Sequence, residues 1–201
     1  MQILVPFHAE GRRKTMKCLS LNQPFGELIV RREKTIELRT WATKHRGEFL
    51  IHAAKKIMAS ECERFKINPK TITTGAIIGQ ATIYDVKNYD WPDSDWVSDA
   101  KYHLADPTSS FFSSKKGFLL KDAVKFPEPI PYLGQLQFFD VELICSTCYF
   151  AYGGSVVPVI FDSYARKWKH KDEYGECFRE PQVAGLKTIQ LAEKKSKGVE
   201  K

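Results

Sequence analysis

The feature that most constrains this chain is a series of short segments in which apolar and polar side chains alternate, with no long helix between them. They are MKCLSL from Met16, TIELR from Thr35, GEFLIHAA from Gly47, GAIIGQATIYDV from Gly75, KKGFLLKDAVKF from Lys115 and QLQFFDVEL from Gln135. A period of two places successive side chains on opposite faces of a strand, whereas an amphipathic helix repeats every three to four residues. Strands joined through helices of ten or more residues would build a parallel α/β sheet. That rhythm is missing, so the pattern predicts an α+β, mainly β fold: a small mixed barrel with flanking helices and a C-terminal extension.

The segments between the strands carry weaker signals. Asn22 and Pro24 suit the start of a short helix whose Phe25, Leu28 and Ile29 would face the core. A second helix is expected from Lys55 to Phe65, and Gly75 and Gly79 suggest a turn and a bulge. Asp90 to Pro107, with Trp91, Trp96 and His103, mixes turn residues with one helical pattern near Asp95 to Leu104 and is expected to form an insertion or lid. FPEPIPY is expected to be an extended, proline-punctuated connection. VVPVIF is one more strand candidate. The resulting expectation is a flexible basic leader over residues 1–15, a folded domain over 16–142, an extension of unknown role over 143–190 and a basic disordered tail over 191–201.

The chain has a formal net charge of +7, and its distribution is informative. Arg31, Arg32, Lys34, Arg39, Lys44, Arg46, Lys55 and Lys56 face only Glu33, Glu37 and Glu48 between positions 31 and 56, a local excess of +5. Such a stretch attracts phosphate, or is simply a solvated face. The five cysteines are too sparse for a disulfide framework in 201 residues, so reduced thiols are expected. No run approaches the roughly 18 apolar residues that span a bilayer, and no apolar signal core opens the chain. A cytoplasmic protein without a membrane partner is the expectation.

LSLNQPFGELIVRREKTIELRTW followed by RGEFLIHAAKK resembles the opening of ASCH domains. GAIIGQATIYDV, HLADP, KGFLL and PIPYLGQLQFFDVEL match later strands of that domain in order, which carries the resemblance from Met16 to Glu142. It implies a PUA-like barrel with a cleft, a fold associated with RNA binding and, in some small members, with hydrolysis of N4-acetylcytidine. Those amidohydrolases resemble KTITIR at the second strand, with a lysine and a catalytic threonine three residues later. Here Lys34 is kept and Glu37 stands in the threonine's place. A carboxylate can act as a base or orient water but cannot replace a hydroxyl nucleophile.

The candidate site therefore centres on Lys34, Glu37 and Arg39. Glu37 and Arg39 lie two apart on a strand with Thr35, so one face offers an acceptor beside a donor to a planar base or amide. A surface ion pair explains the same spacing. Gln23 can add an amide, Trp41 a stacking surface and His52 a ring nitrogen, although a histidine inside IHA is read first as a hydrogen-bonded core residue. Three functions follow: an RNA-binding protein whose cleft recognises a nucleotide or modified base, a small amidohydrolase using Lys34 and Glu37 as an acid/base pair on an acylated nucleoside, or an adaptor docking a protein partner through Trp91 and Trp96. No cofactor is expected. Cys145, Cys148, His170 and Cys177 are a weak candidate set for a structural zinc, buried thiols being the default.

Overall fold

The computed structural model describes residues 15–89, 94–105 and 115–141, together with the backbone of two strands at 159–162 and 167–170. In chain order the elements are β1 (Met16–Gln23), α1 (Phe25–Val30), β2 (Ile36–Arg39), β3 (Gly47–Ile57), α2 (Ala59–Arg64), β4 (Ala76–Tyr89), α3 (Ser94–Ser98), α4 (Ala100–His103), β5 (Lys115–Pro131), β6 (Phe138–Val141), β7 (Val159–Asp162) and β8 (Lys167–His170). The first six strands form one sheet in the order β2-β5-β4-β3-β1-β6, and β7 pairs with β8 separately. Within the larger sheet only β1 and β3 run parallel, which matches the mixed, mainly β expectation.

The sheet curls on itself. Phe118 of β5 and Phe138 of β6 belong to strands far apart in the sheet order, yet their rings stack with centroids 6.2 Å apart. Trp41 meets both edge-on, at 5.2 and 5.8 Å. Inside this curl, Leu19, Leu21, Phe49, Ile51, Ile78, Ile83 and Leu120 bury their side chains together with Ile29 and Val30 of α1. A second apolar layer, containing Cys18, Leu50, Ile77 and Phe139, lies on the other side of β1 and β3. Successive residues of β1 thus enter opposite layers, as alternation requires.

The curvature has an identifiable source in β4 and β5. Register slips on both sides of Ile77/Gly79 and again near Gln80 and Ile83 mark bulges, which bend and twist a strand. Gly79 is required there, because a Cβ would collide with the Val124 carbonyl and lie 2.7 Å from Val30 Cγ1. Gly75 takes a left-handed φ of +66° as the chain turns into β4.

Four expectations are corrected. Asn22 does not cap α1: it is exposed at the end of β1, and the Gln23 Oε1 instead accepts the Glu27 N–H at 3.0 Å. Residues 55–57 continue β3, because Ile57 still pairs with Gln23, so the second helix is shorter than its pattern suggested. FPEPIPY is no separate connection, since β5 runs on to Pro131 through the register slip that accommodates its prolines. Finally, the helical pattern near 95–104 splits into α3 and α4, with Leu104 ending α4 in the left-handed region at φ +54°.

The leader, the tail, Trp91, Cys145, Cys148 and Cys177 lie outside the described residues, and of His170 only the backbone is described. Among the described residues no cluster of three or more histidine, cysteine or acidic side chains could hold a metal, and no helix is long and apolar enough to cross a membrane.

Candidate functional site

A cleft of about 390 Å³ opens where β2, the end of β1, α2 and the α3–α4 segment meet. That volume falls in the range of small-molecule sites. Its wall contains Lys34, Glu37 and Arg39, with Ser20, Asn22, Phe25, Lys56, Glu61, Trp96, His103 and Lys115. Four cations therefore stand against two carboxylates, leaving the cleft positive.

The lysine is the most deeply set of these groups. Lys34 is 3% exposed, and its ammonium donates to the carbonyls of Ile36 and His103, both at 2.6 Å. Glu37 Oε2 lies 3.6 Å away. Burial lowers the Lys34 pKa, and the Glu37 carboxylate opposes that shift. The arrangement fixes β2 to the end of α4.

Glu37 bridges two cations, because its Oε1 lies 3.0 Å from Arg39 Nε while Oε2 faces Lys34. That contact is close in distance but not aligned as a hydrogen bond: Arg39 Nε is a buried donor without a hydrogen-bond acceptor. The other end of the guanidinium is anchored, since Nη2 donates to the Ser20 carbonyl at 2.8 Å. Arg39 is thus held in place between the Ser20 carbonyl and the Glu37 carboxylate.

The far wall comes from the insertion. His103 is buried, its Nε2 bonding the Trp96 carbonyl at 3.0 Å and its Nδ1 accepting from the Ala105 N–H at 3.0 Å. Burial lowers its pKa, and the neighbouring Lys34 lowers it further. The Trp96 ring lies 4.3 Å from the His103 ring and 5.7 Å from Tyr89. Tyr89 in turn donates to Asp99 at 2.6 Å, and Lys87 joins that carboxylate at 2.8 Å. Trp96 is therefore a buried residue of the cleft wall, 6% exposed, which corrects its reading as a solvent-facing docking aromatic.

Gln23, Thr35, Trp41 and His52 do not line the cavity. The Gln23 carboxamide is consumed by Glu27 N–H and by the Thr73 carbonyl at 2.7 Å. Thr35 binds through its backbone, receiving Leu120 N–H at 2.8 Å and donating to Tyr102 at 3.1 Å. Trp41 packs on the phenylalanines of the curl, with the Arg39 guanidinium 5.9 Å from its ring. His52 is buried directly behind the wall, its Nδ1 3.1 Å from the hydroxyl of Ser20, which does line the cleft. Glu61, Trp96 and His103 reach the site from distant parts of the sequence. Glu61 carried only a local signal, the basic Arg64 three residues on, which it binds through Nε at 2.9 Å.

Comparison with known proteins gives one family. A model of the ASCH domain matches residues 19–128. Among solved structures, the crystal structure of ASCH from Zymomonas mobilis is 18% identical with a TM-score of 0.43, covering 56% of this chain and 71% of that one. Two point mutants of the Zymomonas mobilis protein are each 19% identical with the same TM-score of 0.43, and each match covers 57% of this chain and 73% or 72% of that one. No curated protein matches the chain.

Proposed function

The chain belongs to the ASCH domain family, a PUA-like fold often linked to RNA binding, and we propose that its cleft binds one unpaired nucleotide of an RNA. The observation that carries this reading is the 390 Å³ cleft in which Glu37 and the anchored Arg39 stand side by side. Sequence-specific RNA recognition takes bases out of the stack, places them against aromatic rings and hydrogen-bonds their edges. Phe25 and Trp96 supply rings in the wall. Glu37 accepts from an exocyclic amino group while Arg39 donates to a neighbouring carbonyl or ring nitrogen, a pattern that favours cytosine or guanine. The exposed Lys56 at the same opening attracts phosphate without regard to sequence.

Lys34 supports this arrangement from behind. Its ammonium is occupied by two carbonyls and Glu37, so in this reading it holds the acceptor in place.

The test is titration of fluorescently labelled single-stranded and hairpin RNAs at low and moderate salt. Binding that weakens with salt, and that falls at least about tenfold in Arg39→Ala and Glu37→Gln, is expected. No binding of the wild-type protein at low salt would overturn the proposal.

A further inference from the structure

A second hollow, of about 190 Å³, shares no lining residue with the cleft. Arg31 of α1, Lys66 and Asn68 just beyond α2, and Lys125 of β5 stand in its wall around Glu27. Three cations thus meet one carboxylate. Glu27 is 3% exposed, and its Oε1 accepts from Arg31 Nε at 2.8 Å and from Lys125 Nζ at 2.6 Å. One buried oxygen therefore fastens two cations that come from different elements, so their heads are held in place where an ordinary solvated face would leave them to wander.

These groups keep donors to spare. Among the described residues, Arg31 Nη1 and Nη2 and the exposed Lys66 ammonium have no hydrogen-bond partner. The Asn68 amide is oriented by a main-chain N–H, which can only donate: Oδ1 accepts from Lys70 N–H at 2.9 Å, and Nδ2 is left as a further donor. The donors reach the hollow from α1, from the segment after α2 and from β5. A tetrahedral anion with several oxygens answers donors from three sides better than a planar carboxylate does.

We propose that this hollow takes one phosphate group, that of the RNA strand whose unpaired base occupies the cleft. The inference rests on the nucleotide reading of the cleft and adds a second contact on the same strand. Both helices border both places. In α1, Phe25 lines the cleft while Glu27 and Arg31 line the hollow; Glu61 of α2 lines the cleft, and Lys66 past its end lines the hollow. The six residues of α1 span about 9 Å, so a strand leaving the cleft has only a short helix to cross. With Glu27 counted against them, the three cations still exceed the single charge of a phosphodiester.

The experiment follows amide NMR spectra of the isotope-labelled full chain on addition of inorganic phosphate, of polyglutamate, and of a single-stranded RNA of about ten nucleotides. Phosphate and RNA should both shift amides within residues 66–73, and polyglutamate of equal charge should not. Asn68→Asp keeps the acceptor for Lys70 N–H and puts an anionic oxygen in place of Nδ2. It should abolish the phosphate shifts and weaken RNA at least about threefold at low salt, while Lys66→Ala should lower the slope of log K against log salt by about 0.7. RNA that binds and shifts cleft amides but leaves 66–73 unmoved, with an unchanged slope in Lys66→Ala, overturns the inference and leaves the cleft reading standing. If no RNA binds while phosphate still shifts 66–73, the cleft reading falls and with it the strand as source of the phosphate. Equal shifts with polyglutamate overturn the choice of phosphate.

Discussion

The Lys34 ammonium donates at 2.6 Å to the carbonyl of His103, which lies 69 positions later in the chain. Through this bond one lysine holds the α3–α4 insertion against the strand that carries Glu37 and Arg39. The same joint is reinforced by Thr35 N–H to Tyr102 and by the Arg64 guanidinium, which donates to the Leu104 carbonyl. The far wall of the cleft is thus placed by backbone carbonyls at the end of α4.

Lys34→Met keeps much of the side-chain volume and removes the charge. It leaves the carbonyls of Ile36 and His103 without that donor and Glu37 without one of its two cations. Loss of one partner from a buried pair costs about 3–5 kcal/mol. Urea unfolding should show a loss of that order, with faster hydrogen exchange at amides of residues 94–105. An unchanged midpoint would show that the ammonium is not what fastens the insertion.

Gly79→Ala tests the bulge that curves the sheet. The new methyl group meets the Val124 carbonyl and Val30 Cγ1, and backbone atoms yield less readily than flexible side-chain ends. Overpacking of this kind costs about 1–3 kcal/mol, and the expected result is a loss at the upper end. Gly26→Ala is the control, its nearest neighbour being the Gln23 Oε1 at 3.3 Å. Equal melting temperatures for the two variants would refute the account of Gly79.

Which of these features the sequence made legible follows from how local their causes are. The strands were readable because alternation is a property of neighbouring residues: Leu19 and Leu21 enter one layer and Cys18 the other. Lys34, Glu37 and Arg39 were readable because they lie within six positions and carry the family pattern. Gln23 misled because a carboxamide at a helix start serves equally as a ligand group or as an acceptor for a free N–H, and burial decides for the latter. Glu61, Trp96 and His103 were beyond reach as site residues, since only the folding of α2 and the insertion against β2 brings them there. The relation of Ser20 to His52 required the parallel register of β1 and β3, which no local pattern encodes.

Lys56 provides a test of the electrostatic part of RNA binding. It is exposed, lines the cleft and has none of the anchoring bonds of Lys34 or Arg39 among the described residues. If it contacts one phosphate, Lys56→Ala should weaken all RNAs alike and reduce the slope of log K against log salt by about 0.7. Arg39→Ala should instead weaken a preferred RNA more than others. A Lys56 variant that changed sequence preference and left the salt slope intact would exchange the two roles.

Among the described residues, two buried histidines set a pH dependence whose sign is determined. His52 and His103 both have pKa values lowered by burial from the ordinary 6.5, so the unfolded chain binds protons at a higher pH than the folded one. Stability is therefore full above about 6.5 and declines as pH falls toward the lowered values, by at most about 1.4 kcal/mol per pH unit for each histidine. For His103 the surroundings act in both directions, Lys34 opposing protonation and Asp99 favouring it, with Trp96 and Tyr89 packed against the ring. The Ala105 N–H already occupies Nδ1, so protonation must break that bond and loosen the end of the insertion. Below this window the depressed carboxylates of Asp99 and Glu27 add their own loss as they take up protons. Urea unfolding from pH 7.5 to 5 should show the decline, and His103→Gln, which keeps a donor toward Trp96, should flatten it by about half. A stability flat from pH 7.5 to 5 in the wild-type protein would mean that neither ring is held neutral by the fold.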